Sequence, residues 1–275
     1  MSTGVTGTAG SAVRWRTGAG RLPSVRWAQP WLLPGLLLLL WTVATSVFKI
    51  FTPSQLPSPA QVIAAVRELV VSRELEPHLA ASVGRIVVGF GIGAGVGTLL
   101  ATAVGLSRTV ERLLDPTLQA VRAIPALAWV PFLLLWLGIG EVPKIVLVAI
   151  GAFFPVYVNA ASGIRNVDRR LLEVGRLHGL SGARLARRIV LPAAAPALLT
   201  GFRLGLGQAW LFLVAAELIA ATRGLGFLLV DGQNNARADL MVVSIVLLAV
   251  LGKLADHAVR GVERRLLSWS DGFRA

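Results

Sequence analysis

Residues 86–106, IVVGFGIGAGVGTLLATAVGL, contain no charged side chain. A run of this length can cross the hydrocarbon core of a bilayer as an α-helix, which takes roughly 20 residues. The composition agrees, since 55% of the 275 residues are hydrophobic, 15% are charged and the mean hydropathy is +0.71. The sequence therefore predicts an all-α, polytopic membrane protein, because helices satisfy their own backbone hydrogen bonds in lipid.

Six candidate transmembrane helices are found when the search extends outward from this run. They are Trp31–Phe48, Ile86–Leu106, Ala123–Gly140, Ile145–Ile164, Ala197–Thr222 and a sixth with an uncharged core at Leu240–Gly252. The sixth core is short and must extend through Lys253, whose aliphatic stem can reach the interface. Prolines at positions 125, 131 and 155 predict bends in the third and fourth helices.

Lys and Arg residues are distributed unevenly between the two sides of the membrane. The N-terminal segment, the second and fourth loops and the C-terminal segment carry 19 of the 27, the other three loops carry 7, and Arg203 lies inside the fifth span. Cytoplasmic loops are the ones enriched in Lys and Arg, so we expect both termini in the cytoplasm. The net charge of +13 indicates this orientation and not nucleic-acid binding, because the basic residues alternate with apolar runs.

The predicted transmembrane domain, residues 30–267, lies between two short tails. Residues 1–29, rich in Gly, Ser, Thr and Arg, are expected to form a disordered basic cytoplasmic tail, and residues 268–275 a cytoplasmic C-terminal tail. A cleaved signal peptide is the alternative for the first apolar run, but the run and its basic leader are too long.

A short outer helix is predicted between the first two spans. Ser58 can cap its start, with Pro59 in the first turn. Its apolar face would carry Val62, Val66, Leu69 and Val70.

Glycines at positions 89, 91, 93, 95 and 97 form three overlapping G-x-x-x-G pairs, 89/93, 91/95 and 93/97. Such pairs permit close approach of helix backbones in membranes. A nucleotide-binding glycine loop is the alternative, and the absence of a preceding strand argues against it.

Ionisable groups inside a span are costly, which makes Arg203 and Glu217 of the fifth span informative. They are too far apart to pair with each other, at about 21 Å along a straight helix. Each is either tied to a partner on another helix or lines a translocation path. The candidate path residues are Trp129, Asn159, Arg203, Gln208, Trp210 and Glu217.

The loop between the fourth and fifth spans includes EVGRLHGLSGARLARRIVLP, residues 173–192. Asp168 can cap a helix over residues 169–178 that ends at Gly179. Ser181 can cap a second helix, through about Val190, and Pro192 would stop it. One face of the first helix carries Leu171, Val174, Gly175 and His178. The second helix has a basic face, with Arg184, Arg187 and Arg188. Its apolar face carries Ala183, Ala186 and Val190. Two capped helices with a tight joint predict a rigid protrusion.

The spacing Glu173-x-Gly175, Gly179, Ile189-x-Leu191-Pro192 resembles the "EAA" loop of binding-protein-dependent ABC importer permeases. That family has E-A-A, three residues, G, nine residues, and I-x-L-P. The chain departs from it at Val174 and Gly175, where the family usually has alanines. Other stretches, including 129–145, 153–173, 199–217 and 247–265, are similar to the nitrate/sulfonate/taurine branch, most closely to aliphatic sulfonate permeases.

The resemblance implies a type I ABC importer permease in the bacterial plasma membrane. Such a permease pairs with a second permease copy, expected here to be identical, and with two cytoplasmic ATPase subunits that bind ATP and Mg²⁺. An external solute-binding protein delivers the substrate. The loop at 165–196 would couple to the ATPase. Its contact residues would be Glu173, Val174, Gly175, Gly179, Ile189, Leu191 and Pro192, to which we add the basic face of Arg184, Arg187 and Arg188.

Several functions are disfavoured by what the sequence lacks. It has no cysteine, and His78, His178 and His257 are far apart, so we expect neither a metal site nor a catalytic site. It has no G-x-x-x-x-G-K-[ST] motif, so we expect no nucleotide or other cofactor on this chain. The alternatives are a permease for taurine, nitrate, cyanate or a vitamin precursor, and a secondary transporter; a membrane-embedded enzyme is disfavoured.

Overall fold

A computed structural model describes residues 25–267, and all its regular structure in that range is helical. The helices are α1 (Val25–Thr42), α2 (Pro59–Val71), α3 (Leu75–Leu106), α4 (Arg108–Ala123), α5 (Val130–Leu137), α6 (Glu141–Arg165), α7 (Arg169–Leu177), α8 (Gly182–Leu185), α9 (Leu191–Ala193), α10 (Ala195–Ala220), α11 (Leu225–Asn234) and α12 (Ala238–Leu266). A short 3₁₀ turn (Ala126–Trp129) precedes α5, and π-helical turns occupy Val43–Val47 and Ala186–Val190.

The centre of the fold is a three-helix layer in which α6 packs between α3 and α10. Helices α3 and α6 both run toward the end of the bundle that carries α7–α9, because the chain returns through α4 and α5 between them. Helix α10 runs away from that end. We call that end the loop end and the opposite end the far end. The buried side chains between these helices are small or branched, including Ile86, Val148, Ala152 and Leu206.

The glycine run of α3 sets its distance from α6. A methyl group on Gly89 would lie 2.6 Å from Val148 Cγ1, and one on Gly93 would overlap the backbone carbonyl of Ala149. A methyl group on Gly97 would also lie 3.0 Å from a backbone oxygen of α6. The glycines at 91 and 95 have no heavy atom within 4 Å of such a methyl. Of the three predicted pairs, 89/93 and 93/97 therefore pack against α6 and 91/95 does not.

Four helices in the described range are long and apolar enough to cross a membrane: α3, α6, α10 and α12. The third predicted span, Ala123–Gly140, is bent, as its prolines predicted, but the 89° bend separates the segment 126–137 from α4, which the sequence placed in a loop. Pro125 lies in this break, and Ile124 before it is extended, as expected of a residue that precedes proline. Counting the bent pair as one span gives five. The first predicted span is a shorter apolar helix, Trp31–Val47, so the total of six stays a prediction.

Three predicted boundaries shift in the structure. The second span is longer than predicted, because α3 begins at Leu75, and the sixth extends to Leu266 in α12. The first helix begins at Val25, so residues 25–29, the last part of the tail predicted to be disordered, are helical. The rest of that tail, 1–24, and the C-terminal tail, 268–275, lie outside the described residues.

The predicted outer helix is α2, and its cap is a reciprocal capping box between Ser58 and Gln61. Its buried residues are Ala65 and Leu69, which pack with Leu228, Leu240 and Val243 of α11 and α12. Val70, which we placed on the same face, is exposed.

A bidentate pair attaches α2 to the start of α12. The Arg237 guanidinium donates to both carboxylate oxygens of Glu68, at 3.0 and 2.7 Å. These hydrogen bonds, and then the charge of Arg237, hold the pKa of Glu68 below its usual value.

Candidate functional site

A cleft of about 450 Å³ opens beside the bend between α4 and α5. It is bounded by the end of α4, the turn around Pro125, the middle of α6 and the middle of α10. Three of the predicted path side chains line it, namely Trp129, Asn159 and Gln208. The cleft reaches toward the loop end, since Asn159 lies about 9 Å along α6 from the last residue of that helix.

Arg122 is the residue of this cleft that the sequence analysis missed. It occupies the last turn of α4 and is the one charged side chain among the lining residues. In the sequence it lies in a predicted loop, where it contributes only to the charge asymmetry. The signal that could have singled it out is its position three residues before Pro125, because a bend there turns the end of α4 toward the bundle.

The other three predicted path residues lie elsewhere. Arg203 Nε is 3.1 Å from an oxygen of Asp256 on α12, and this aspartate also pairs with Arg260. Trp210 packs against the apolar cluster between α3, α6 and α10. Glu217 is buried in an ion cluster at the far end. For Arg203 and Glu217 the structure thus provides the partners on other helices that one of our two interpretations requires.

The ion cluster at the far end centres on Arg85 of α3, whose side chain is 3% exposed. Arg85 Nη1 donates to Glu217 Oε1 on α10 at 2.7 Å, and its Nε and Nη2 donate to both oxygens of Glu141 on α6 at 2.6 and 2.7 Å. Lys144 Nζ lies 3.1 Å from Glu141. The cluster therefore contains two cations and two anions and joins three helices.

Glu217 receives hydrogen bonds from neutral groups as well. The Ser82 hydroxyl donates to its carboxylate at 2.8 Å, and the backbone N–H of Gly226 donates to Oε2, also at 2.8 Å. Gly224 passes so close that a methyl group there would lie 2.5 Å from Glu217 Cδ. The carboxylate thus fixes the turn between α10 and α11. The sequence could not show this, because Ser82 and Glu217 are 135 residues apart.

The predicted loop protrusion has the expected joint. The Asp168 side chain accepts a hydrogen bond from Arg170 N at 2.9 Å and caps α7, and Gly179 follows that helix with φ +73°. Ser181 occupies the cap position of α8, but its side chain makes no capping hydrogen bond. Pro192 does not stop the second helix as predicted. The chain passes through a π-turn and continues into α9, and this wider turn precedes the proline, which cannot donate a backbone hydrogen bond.

The loop residues divide into an anchoring set and an exposed set. Gly175 is buried, and a methyl group there would meet the ends of Leu185 and Ile189. Ile189 and Leu191 pack against the cluster formed by α3, α6 and the start of α10. The exposed set comprises Glu173, Val174, Gly179, Arg184, Arg187, Arg188 and Pro192.

The predicted faces need two corrections. Leu171, Val174 and His178 are exposed, whereas Gly175, placed with them, is buried. Leu177 is 86% exposed and, with Leu171 and Val174, forms an exposed apolar strip on α7. Ala183 is exposed as well, although Ala186 and Val190 are buried as expected.

Glu173 lines a groove of about 560 Å³ between α7 and the α3–α4 corner. Four arginines line the same groove: Arg108, Arg165, Arg169 and Arg176. No group of three His, Asp or Glu side chains within residues 25–267 could hold a metal ion.

A family model described as "Binding-protein-dependent transport system inner membrane component" matches residues 93–268. The chain belongs to this family. The matched region of the permease contains the cleft, the loop protrusion and most of the three-helix layer.

Two relatives are similar over nearly the whole permease. The putative aliphatic sulfonates transport permease protein SsuC of Bacillus subtilis (strain 168) is 40% identical over 266 residues, 97% of this chain and 95% of the relative. The protein of the same name from Escherichia coli (strain K12) is 43% identical over 244 residues, 89% and 92% of the two chains.

A solved structure, described as an inward facing conformation of the MetNI methionine ABC transporter, shares the fold. Its chain aligns with a TM-score of 0.62 and 21% identity, covering 70% of this chain and 95% of that one. The permease is thus a multi-pass plasma-membrane subunit of an ATP-driven importer that forms the translocation path. It is not itself an enzyme, because ATP hydrolysis belongs to separate ATPase subunits.

Proposed function

We propose that the permease imports aliphatic sulfonates. The observation that carries this proposal is the 40% identity, over 97% of the chain, to a protein described as a sulfonate permease. The cleft supports it, because an arginine among apolar walls suits an anion with a hydrocarbon part. Taurine, nitrate, cyanate and a vitamin precursor are the alternative substrates.

The proposed assembly contains two copies of this permease, two ATPase subunits that bind ATP with Mg²⁺, and an external solute-binding protein. Both termini and the loop end face the cytoplasm, in keeping with the distribution of Lys and Arg. ATP-driven closure of the ATPases moves the two loop protrusions together and opens the path outward. Hydrolysis then returns the path to the inward-facing state.

The anchoring and exposed sets of the loop define how force is transmitted. Gly175, Ile189 and Leu191 join the protrusion to the helix bundle, so that the protrusion and the bundle move together. The apolar strip of α7 and the arginines at 184, 187 and 188 face outward, and they contact the ATPase. Apolar residues with charged neighbours match the usual anatomy of a protein interface.

Uptake by reconstituted vesicles tests the function. Proteoliposomes with the permease, its ATPase and its binding protein are expected to accumulate labelled ethanesulfonate when ATP is supplied on the ATPase side. Vesicles with the permease alone, or with a non-hydrolysable ATP analogue, are the controls and should accumulate none. ATP-independent uptake by the permease alone would identify a secondary transporter, and ATP-driven uptake of nitrate or taurine in place of ethanesulfonate would reassign the substrate.

Replacement of Gly179 by leucine should uncouple the protrusion from the ATPase. Its backbone has φ +73°, which costs a residue with a side chain about 1–2 kcal/mol, so the joint between α7 and α8 will relax to another geometry. Nothing within 4 Å opposes the added side chain, so the effect comes from the backbone. We expect ATP-driven uptake to fall about five- to thirtyfold, since a strain of about 1–2 kcal/mol reduces the population of the native joint by that factor.

The matched control is Gly179→Asn, because asparagine tolerates the left-handed conformation. This variant should keep the ATPase associated during purification and retain most of the uptake. Equal uptake by the leucine variant and the wild type would show that the joint does not transmit force.

A further inference from the structure

We infer that Arg122 is the anion-binding residue of the translocation cleft and receives the charged group of the substrate there. The inference rests on the proposed function, because it assigns a substrate class to the same path. It adds that the permease itself selects for anions at a defined position. This selection is separate from any made by the solute-binding protein.

The first observation is that Arg122 has no acidic partner. Within the part of the chain that the structure describes, five arginines form ion pairs with carboxylates, namely Arg85, Arg165, Arg203, Arg237 and Arg260. Among residues 25–267, no carboxylate oxygen lies within 4.0 Å of the Arg122 side-chain nitrogens. Arg122 is exposed, so its guanidinium is accessible from the cleft. The donors of Arg122 are therefore free for a ligand that enters from outside the chain.

The contrast with Arg203 strengthens this assignment. Both are basic residues on helices that border the cleft, and Arg203 directly precedes Leu204 and is five residues before Gln208 on α10, both of which line it. Yet Arg203 is neutralised by Asp256 and does not line the cleft. The fold thus leaves one positive charge exposed to the path and cancels the other.

The second observation is the arrangement of neutral groups around Arg122. Gln208 of α10 lines the same cleft and has an amide that can donate a hydrogen bond. Asn159 uses one amide hydrogen on the carbonyl of Pro155, at 2.8 Å, which leaves its second hydrogen for the cleft. No acidic side chain lines this space. Every polar side chain of the cleft can therefore donate to an oxyanion.

The third observation is the apolar remainder of the lining. Trp129, Phe154 and Phe212 provide aromatic surface, and their neighbours are aliphatic. The volume, about 450 Å³, lies within the range of roughly 300–1,000 Å³ that is usual for small-molecule sites. A charged end at Arg122 and a hydrocarbon part against the aromatic wall describe a short organic anion.

The location suits transport. Arg122 belongs to the last turn of α4, next to the 89° bend, and is not in the middle of a rigid span. The carbonyl groups at the end of a helix carry partial negative charge, which lowers the cost of holding a cation between transport cycles. The anion consequently meets a positive charge that the end of α4 helps to hold when the cleft is empty.

Cysteine labelling tests the inference without any transport measurement. The chain has no cysteine, so Gln208→Cys introduces a single thiol in the cleft. The thiolate attacks a methanethiosulfonate reagent at its sulfenyl sulfur, forms a mixed disulfide and releases methanesulfinate. Two reagents are compared, one with a 2-sulfonatoethyl group and one with a 2-(trimethylammonio)ethyl group. The full-length permease is used with its partner subunits in lipid nanodiscs, so that both ends are accessible.

The measured quantity is the ratio of the anionic to the cationic labelling rate, divided by the same ratio for free 2-mercaptoethanol. We expect this ratio to exceed one at Gln208→Cys. It should fall roughly tenfold when Arg122→Gln is added, because one positive charge changes the local concentrations of the two reagents in opposite senses. Arg122→Lys should keep most of the preference, because it keeps the charge.

The matched control is Arg112→Gln, which removes the same charge from the same helix about 15 Å away, outside the cleft. It should leave the ratio unchanged. Asn159→Cys provides a second reporter position and should behave like Gln208→Cys.

Three outcomes would overturn the inference. The first is a labelling ratio of one or less with Arg122 intact. The second is a ratio that falls no further in Arg122→Gln than in Arg112→Gln. The third is no labelling by either reagent at both reporter positions. The first outcome is measured without an arginine variant, so the inference can be tested even if Arg122→Gln does not fold. Failure of the proposed function would be distinct, because it would appear as absent sulfonate uptake while the labelling preference remained.

Discussion

Replacement of Arg85 by methionine will destabilise the permease by about 3–5 kcal/mol, because it leaves a buried carboxylate without its counter-ion. Glu217 is 1% exposed and would retain only the hydrogen bonds from Ser82 and Gly226. Glu141 would lose both of its hydrogen bonds from Arg85. The free energy of unfolding of purified protein, measured by titration with SDS in mixed micelles, provides the test.

Two further variants separate the buried ion pair from the general effect of losing a charge. Glu141→Gln should cost less, because the Glu141 side chain is 56% exposed, Arg85 stays paired with Glu217, and the new amide oxygen can still accept the hydrogen bond from the buried Lys144. The double variant Arg85→Met/Glu217→Met should recover part of the loss, because no unpaired buried charge remains. If Arg85→Met lowered the free energy of unfolding no more than Glu141→Gln did, the buried pair of Arg85 and Glu217 would not be needed to hold the three helices together.

Substitution of alanine at Gly93 and at Gly95 will change the stability in opposite directions. At Gly93 the new methyl group overlaps the backbone carbonyl of Ala149, and separation of α3 from α6 should cost about 1–3 kcal/mol. At Gly95 the methyl group meets nothing within 4 Å, so the helix gains up to about 1 kcal/mol from the better helix former. The same SDS titration measures both variants.

Gly89 and Gly91 repeat this comparison one turn earlier in α3. Gly89→Ala should resemble Gly93→Ala, because its methyl group would lie 2.6 Å from Val148 Cγ1, and Gly91→Ala should resemble Gly95→Ala. Losses of similar size at all four positions would mean that the 91/95 face is packed as tightly as the 89/93 face. That result would contradict the conclusion that only Gly89, Gly93 and Gly97 pack closely against α6.

Local interactions explain which parts of the fold could be predicted. The capping box of α2 joins Ser58 to Gln61, the cap of α7 joins Asp168 to Arg170, and the left-handed joint needs only Gly179. Each involves residues within a few positions in the chain. The prediction that failed in this region, the stop at Pro192, depended on whether a wider turn could accommodate the proline, and that depends on packing against α3 and α6.

The path residues show that helical periodicity does not predict which side of a transmembrane helix faces a cleft. All six candidate path residues are polar or aromatic and lie inside predicted spans. The structure brings three of them, Trp129, Asn159 and Gln208, to one cleft. A transmembrane helix is apolar on every side, so its sequence does not reveal which side meets a neighbour and which lines a cleft. Arg122 was missed for the related reason that the bend at Pro125 turns a loop residue toward the bundle.

By itself the sequence determined that this protein is a bundle of apolar helices in a membrane, with excess positive charge on one side and a jointed polar protrusion between its fourth and fifth apolar segments. These features depend on composition and on neighbours along the chain. Only the tertiary structure decided which charges are cancelled and which remain exposed in the cleft. The reason is that Arg85 and Glu217 are 132 residues apart and meet only when α3 packs against α10.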